Sequence, residues 1–185
     1  MQIEPLAIPD VLLVTPKRFG DRRGFFSETF NARRFAEAGI AGPFVQDNHS
    51  LSQARGVVRG LHCQVAPFAQ GKLLRVVHGA VWDVAVDIRH GSPTFGRWAA
   101  AEISAENWAQ IWIPPGFLHG FCTLTPDVEV IYKVTADYSP ESERAVAWDD
   151  PDLALPWPVA PDTAVLSERD RTHPRLKDCE AWFHV

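Results

Sequence analysis

Short apolar segments that end at glycine or proline dominate this sequence, and they restrict the chain to a fold made mostly of β-strands. Its 185 residues include 12 Gly and 15 Pro, which recur at turn-like spacing. In segment 80–88 large apolar residues alternate with Asp83, Ala85 and Asp87, a period of two that indicates a strand with one buried face. Further short strands are predicted at 72–77, 98–103, 109–113, 120–124, 128–135 and 145–148. We therefore expect a mainly β sandwich or jelly roll with a few short helices.

The two ends of the chain differ from this middle part. Asn31 can cap a short helix over 32–38, which Gly39 would end. Prolines recur at 151, 156, 158, 161 and 174, so residues 151–185 are expected to cover the fold as extended or turn-rich segments. With 46% hydrophobic residues and no internal repeat, residues 1–185 are predicted to form one domain with a core at about 51–150.

Charge and cysteine content exclude several classes of protein. The formal net charge is -5 and the basic residues are spread along the chain, so no nucleic-acid partner is expected. Three cysteines without a CxxC pair indicate neither a disulfide framework nor a structural zinc site, which favours a reducing, cytoplasmic location. The longest uncharged stretch, 107–126, contains two adjacent prolines, and the first ten residues lack an apolar run. We therefore expect no membrane partner and no secretory signal.

One cluster that could carry chemistry joins a histidine to a lysine. In a strand over 59–62, Gly60 and His62 would point away from Arg59 and Leu61. His62 could then face a barrel interior, beside an incoming strand that carries Lys72. A base and a cation would share one pocket. The alternative is a hydrogen-bonded core histidine and a solvated lysine.

A second histidine follows a Pro-x-Gly-x-x-His turn that starts at Pro114 and ends at His119. This turn resembles the second motif of the cupin superfamily. In metal-dependent cupins this histidine joins a His-x-His pair and a glutamate, whereas here the earlier motif is His62-Cys63-Gln64. We therefore predict no metal. His119 is expected to bond a ligand in the pocket, and a turn-stabilising hydrogen bond is the alternative.

Two further groups combine aromatic and charged residues. Tyr132 would share a strand face with three valines, so core packing with a satisfied hydroxyl remains an alternative to a chemical role. Arg23 and Glu28 flank the pair Phe25-Phe26. An arginine in such a place can bind phosphate through two hydrogen bonds while an aromatic ring lies against a flat base. An edge strand with surface charges is the alternative.

Taken together, these segments resemble the dTDP-4-dehydrorhamnose 3,5-epimerases, a family of dimeric jelly-roll enzymes of the pathway to dTDP-L-rhamnose. The resemblance covers about residues 8 to 174. The matching segments are DRRGFF at 21–26, FVQDNHS at 44–50, RGLH at 59–62, QGK at 70–72, VAVDIR at 84–89, HGF at 119–121, YK at 132–133 and LSERD at 166–170.

The resemblance implies a role for each matching position. His62 corresponds to the general base, Asp170 to the carboxylate that orients it, Lys72 to the cation near the sugar carbonyl and Tyr132 to the general acid. The positions implied in substrate binding are Arg23, Phe26, Glu28, Gln46, Asn48, Arg59, Lys72, His119, Tyr138, Glu143 and Arg169. Arg169 stands where the family usually has lysine, which keeps the charge and changes the hydrogen-bond geometry.

The resemblance also implies a homodimer that exchanges N-terminal strands, about residues 1–50. Arg23 and Glu28 would then serve the partner subunit's site. The implied substrate is a dTDP-sugar, and the cupin-type jelly roll needs no cofactor for its chemistry.

The implied reaction converts dTDP-4-dehydro-6-deoxy-D-glucose to dTDP-4-dehydro-L-rhamnose by inversion at C3 and C5. Both carbons adjoin the C4 carbonyl, so loss of either proton leaves an enolate and needs no redox step. The sequence has no GxGxxG motif, which disfavours a nicotinamide-dependent epimerase. Three alternatives remain open: an epimerase that acts at one carbon only, a metal-dependent cupin enzyme, and a non-catalytic sugar-nucleotide-binding domain.

Overall fold

Antiparallel strands form most of the regular structure in residues 1–40 and 42–185, the part of the chain that the computed structural model describes. The strands are β1 (Gln2–Pro5), β2 (Leu12–Thr15), β3 (Arg18–Asp21), β4 (Gly24–Ser27), β5 (Gln46–Ser52), β6 (Val58–Gln64), β7 (Lys72–His78), β8 (Ala80–Asp87), β9 (Arg89–His90), β10 (Trp98–Ser104), β11 (Gln110–Ile113), β12 (Phe117–Thr123), β13 (Val128–Val134), β14 (Glu143–Ala145) and β15 (Phe183–His184). The helices are α1 (Ala32–Glu37) and 3-10 turns at Pro140–Ser142, Arg169–Arg171 and Leu176–Asp178. The prediction of a mainly β fold is confirmed.

Two sheets enclose one interior. The six-stranded sheet has the order β1-β2-β11-β7-β13-β5, and the five-stranded sheet has the order β10-β8-β12-β6-β14. The largest buried cluster takes Leu74, Ile111 and Val130 from the first sheet and Val81 and Phe121 from the second. Apolar side chains from two facing sheets therefore form the core, as in a cupin-type jelly roll.

The last part of the chain covers the outer face of the five-stranded sheet. Val84, Leu118 and Leu153 belong to a second buried cluster, against which Trp157 packs. The prediction of one buried face on β8 is therefore wrong, because the barrel interior buries one face and the C-terminal cover buries the other. Asp83, on the interior face, is 0% exposed.

The predicted strand boundaries agree with the structure to within one to three residues, but one predicted strand shares only a single residue with the observed strand. The predicted strand 145–148 is instead β14, Glu143–Ala145. Trp148 is buried in a cluster with residues of the C-terminal cover, and the backbone N–H of Ala147 bonds to the carbonyl of Pro174 at 2.7 Å. The helix prediction holds, since the Asn31 side chain accepts a hydrogen bond from the N–H of Arg34 at 3.2 Å. No helix in the described residues has the length and apolarity that a membrane crossing requires.

A two-stranded ribbon stands apart from both sheets. We call residues 18–27, which include β3 and β4, the N-terminal hairpin. Its three phenylalanines, Phe19, Phe25 and Phe26, are all exposed, and Phe26 is 71% exposed. The hairpin therefore presents an aromatic surface that this chain only partly covers.

Candidate active site

A register shift in β6 brings two functional side chains to the same face. His62 pairs with His119 of β12, but Arg59 pairs with Phe121, so the pairing shifts between them. The prediction that Arg59 and His62 point to opposite faces is therefore wrong, and both line the same cavity. Only glycine fits at position 60, because φ is +113° and a Cβ there would lie 2.6 Å from the His119 carbonyl oxygen.

The His62 side chain is held by a carboxylate from the C-terminal cover. Its Nε2 lies 2.7 Å from Oδ1 of Asp170, which is 6% exposed. The hydroxyl of Ser167 donates to the other carboxylate oxygen at 2.7 Å. Burial raises the pKa of Asp170, but the hydrogen bonds from His62 and Ser167 outweigh it and hold this pKa below its ordinary value. Asp170 is therefore an anion that fixes the imidazole.

A second histidine and carboxylate lie deeper in the barrel. Nε2 of His119 lies 2.9 and 3.1 Å from the two carboxylate oxygens of Asp83. Burial lowers the pKa of Lys72, an effect that Asp83 partly offsets. Burial likewise raises the pKa of Asp83, and the interactions of this carboxylate with His119 and with Lys72 oppose that rise. The Asp83 carboxylate is therefore coupled to both of these side chains.

Two adjoining cavities share His62, Lys72 and Tyr132. The first, about 310 Å³, is lined by these residues and by Ser50, Arg59, Leu74, His119, Phe121, Ser167, Arg169 and Asp170. The second, about 220 Å³, adds Gln46, Asn48, Cys63, Gln64, Gln70, Tyr138 and Glu143. Burial raises the pKa of Tyr132, so its phenol keeps its proton at neutral pH.

Polar side chains that line the second cavity form ion pairs and hydrogen bonds with their neighbours. Glu143 forms an ion pair with Arg169 and accepts a hydrogen bond from the Tyr138 hydroxyl at 3.0 Å. The Gln46 amide donates to Asn48 at 2.8 Å. The hydrogen bond that Arg169 donates to the Glu143 carboxylate raises the pKa of Arg169. Arg169 therefore remains a cation, and its contact in this chain is an acidic side chain of the cavity wall.

Three predicted binding residues lie outside both cavities. Arg23 is 83% exposed and pairs with Asp21 at 2.6 Å. Glu28 pairs with Arg34 at 3.0 Å, and Phe26 projects from the N-terminal hairpin. Within this chain the other predicted site residues converge on the cavities, and these three do not.

Sequence reasoning missed two residues of the site. Asp83 was assigned only to the polar face of β8, although it reaches into the barrel, and Ser167 was seen only as part of a matching segment. The signal for Asp83 was present, because a carboxylate in the strand beside the His119 strand is a natural partner for a buried imidazole. No feature of the sequence indicated that Ser167 would bond to Asp170.

Comparison with known proteins shows which family this chain resembles. The sequence profile described as dTDP-4-dehydrorhamnose 3,5-epimerase matches residues 5–178. An enzyme of that name from Sinorhizobium fredii is 52% identical over 180 residues, which cover 97% of this chain and 91% of the relative. A dTDP-4-dehydrorhamnose 3-epimerase from Streptomyces niveus is 39% identical over 173 residues, which cover 92% of this chain and 82% of that relative.

A solved structure of a related enzyme has nearly the same fold as this chain. The dTDP-6-deoxy-D-glucose-3,5-epimerase of Legionella pneumophila, crystallised with dTDP-4-keto-L-rhamnose, has a TM-score of 0.92 and 47% identity, covering 97% of this chain and 95% of that one. Fold and profile together define the class as cupin-type isomerases. More closely, the chain belongs to the dTDP-4-dehydrorhamnose 3,5-epimerase family.

Proposed function

We propose that this chain inverts C3 and C5 of dTDP-4-dehydro-6-deoxy-D-glucose by proton removal and return. The observation that carries this proposal is the contact of 2.7 Å between His62 Nε2 and Asp170, in a cavity that Lys72 and Tyr132 also line. Base, cation and acid then surround one space. The family and its relatives agree with this substrate and product.

The base is neutral His62. Because its Nε2 faces the Asp170 carboxylate, the ring proton lies on Nε2 and leaves a lone pair on Nδ1. Nδ1 takes the proton from C3 or C5, and the electron pair of the C–H bond forms a double bond to C4. Asp170 stabilises the imidazolium that results. A positioned base of this kind contributes about 100- to 10,000-fold in rate.

Negative charge then develops on the C4 oxygen of the sugar. Lys72 is half-buried beside the cavity, and its ammonium and the imidazole of His119 are the groups placed to stabilise the enolate. By analogy with an oxyanion-hole donor, the lysine supplies about 3 kcal/mol in the transition state. The buried Asp83 bonds to His119 and holds its imidazole in place.

Tyr132 completes the inversion. It projects into the cavities from β13, a strand of the six-stranded sheet, whereas His62 comes from β6 of the five-stranded sheet. The two side chains therefore approach the sugar from opposite sides. The phenol returns a proton to the face opposite His62, and the configuration is inverted. Solvent then restores the phenol proton and accepts the proton from the imidazolium.

Binding of the nucleotide end of the substrate is proposed to use cationic side chains of this chain and the hairpin of a second chain. Arg59 and Arg169 line the first cavity and are the cations proposed to bind the diphosphate. Arg23, Phe26 and Glu28 are proposed to reach the same cavity in a partner subunit, through an exchanged N-terminal hairpin. The exposed phenylalanines of that hairpin support a homodimer. The three cysteines are free thiols, which suits the cytoplasm, the proposed location.

The test is NMR of substrate and product in deuterated water. His62→Ala should abolish deuterium exchange at both C3 and C5. Tyr132→Phe should keep the fold and some exchange with retention, while inverted product falls sharply, because the phenyl ring fills the same volume without the acidic proton.

Three outcomes would contradict these assignments. Persistent exchange in His62→Ala would remove His62 as the base, and normal inversion by Tyr132→Phe would remove Tyr132 as the acid. Exchange confined to one carbon in the unmodified enzyme would favour the single-carbon epimerase.

A further inference from the structure

A third titratable side chain lies against the His62–Asp170 pair. The imidazole of His173 stands at 90° to the ring of His62, with centroids 5.6 Å apart. Its Nε2 lies 3.6 Å from Asp170 Oδ1, too far for a hydrogen bond. Among the described residues this nitrogen is buried and has no hydrogen-bond partner. The catalytic scheme above gives His173 no task.

The three side chains together offer a set of metal ligands. One ligand atom from each of His62, Asp170 and His173 lies within 4.8 Å of the others. Two imidazoles and a carboxylate suit Zn²⁺ and neighbouring divalent transition metals, and a three-ligand site leaves a coordination position open. Metal–ligand bonds of about 2.1 Å at tetrahedral angles separate ligand atoms by about 3.4 Å. The contact of 3.6 Å already fits this spacing, and the contact of 2.7 Å must open by roughly 0.7 Å.

We propose that His62, Asp170 and His173 form an inhibitory site for a divalent transition-metal ion, with Zn²⁺ as the reference ion. Metal binding at these residues is independent of the proposed function. Only the inhibitory consequence rests on His62 being the base of the epimerase.

Inhibition follows from the proton on the His62 ring. A metal at Nε2 takes the lone pair there, so the single ring proton of the neutral imidazole moves to Nδ1. Nδ1 is the atom that must accept the substrate proton, and it then has no free lone pair. The metal also occupies the Asp170 carboxylate, which would otherwise stabilise the imidazolium. One ion therefore disables both members of the pair.

The surroundings set how tightly such an ion is held. In the part of the chain that the structure describes, Nε2 of His173 is buried without a hydrogen-bond partner, so no neighbouring group there competes with a metal ion for it. Arg59, Lys72 and Arg169 line the same cavity and oppose a cation. We therefore expect reversible binding, weaker than that of a structural zinc site.

Binding is tested by titrating Zn²⁺ into the substrate-free, full-length enzyme in a calorimeter. His173→Asn and His173→Gln should each weaken the affinity by at least about 10-fold, since loss of a ligand costs no less than loss of a group that supports one. His184→Asn, which removes an exposed histidine near the end of the chain, is the matched control and should bind like the wild type. Co²⁺ in place of Zn²⁺ should give the strong visible absorption of a four- or five-coordinate site in the wild type alone.

Activity supplies the second readout. Zn²⁺ should inhibit the wild type, EDTA should restore full turnover, and the two His173 variants should keep basal activity and resist inhibition. Absence of zinc binding to the wild type, or equal affinity in the wild type and both His173 variants, would overturn the proposal. Zinc binding that depends on His173 in a protein without epimerase activity would leave this site standing and refute the proposed function.

Discussion

The barrel cavity and the N-terminal hairpin each hold a carboxylate that is hydrogen-bonded to a predicted binding residue, but the first pair is buried and the second is exposed. In the cavity, Asp83 is 0% exposed and bonds to His119. In the hairpin, Asp21 bonds to an Arg23 that is 83% exposed. A buried pair fixes its members because neither can find water, whereas an exposed pair exchanges freely with solvent. The cavity is thus preorganised within one chain, and the hairpin is not.

The hairpin also differs in its apolar surface. A two-stranded ribbon with four residues in each strand cannot bury its own aromatic rings. Phe25 contacts Trp108 edge-on at a centroid distance of 4.8 Å, yet more than half of Phe25 remains exposed. Phe26 is more exposed still. The barrel cavity is therefore lined by side chains of one chain, whereas the hairpin leaves an aromatic surface that a second copy is proposed to cover.

The largest expected effect is on the activity of dimers in which one subunit carries a hairpin substitution and the other carries a cavity substitution. Arg23→Ala and His62→Ala should each lower activity steeply when expressed alone. In a mixed dimer, the intact His62 of one chain meets the intact Arg23 of the other and forms one complete site. Co-expression should therefore restore roughly a quarter of wild-type activity, because half of the dimers are mixed and each has one complete site.

The control for this experiment places two cavity substitutions in different subunits. Co-expression of His62→Ala with Tyr132→Phe should restore little, because a chain with both residues intact is never made. Failure of Arg23→Ala to complement His62→Ala, in dimers shown to be mixed, would place Arg23 in the site of its own chain.

A smaller effect should come from adding one methyl group to each region. In Gly60→Ala the new Cβ would lie 2.6 Å from the His119 carbonyl oxygen and 2.7 Å from the Gly120 Cα, at a φ that alanine rarely adopts. We expect a loss of about 3 kcal/mol or more in unfolding free energy. Gly20→Ala in the hairpin meets only the Gly24 carbonyl oxygen at 3.7 Å and should change stability by less than about 0.5 kcal/mol. If urea unfolds Gly60→Ala and Gly20→Ala at the same midpoint concentration, the register shift in β6 is not tightly fixed.

The smallest effect is a pH shift. Burial lowers the pKa of Lys72, and the attraction of Asp83 limits that fall. Asp83→Asn removes this attraction, so Lys72 should lose its proton at a lower pH. The alkaline limb of kcat/KM should therefore move to lower pH.

Its exposed counterpart is Asp21→Asn in the hairpin. This change should leave the alkaline limb in place, because Asp21 does not face Lys72. An unmoved limb in Asp83→Asn would show that another group sets it, and a comparable shift in Asp21→Asn would remove the contrast between the two regions.

The sequence predicted the fold better than it predicted the contacts between side chains. Alternation and turn residues were sufficient for the strands of the barrel and for the Asn31 cap, because these signals are local. Strict alternation failed at Gly60, where pairing with β12 rather than local periodicity decides the direction of Arg59. It also failed for Asp83, because a polar residue in an alternating strand is ordinarily exposed and this one faces a charged interior.

The site itself depends on contacts that are distant in sequence. The pairing of His62 with Asp170 joins residues 108 positions apart. It was predicted only through resemblance, since periodicity carries no information at that range. The role of His173 was not predicted at all, because its orphaned nitrogen becomes visible only when the C-terminal cover is folded.

That same separation links activity to the order of protein synthesis. The strands of the barrel leave the ribosome first, and they already carry His62, Lys72 and Tyr132. Asp170 follows 38 residues after Tyr132, so it is synthesised after all the strands that carry those three side chains. A chain that ends before Asp170 therefore has His62 without its carboxylate partner, and in the proposed mechanism activity requires the C-terminal cover as well as the barrel.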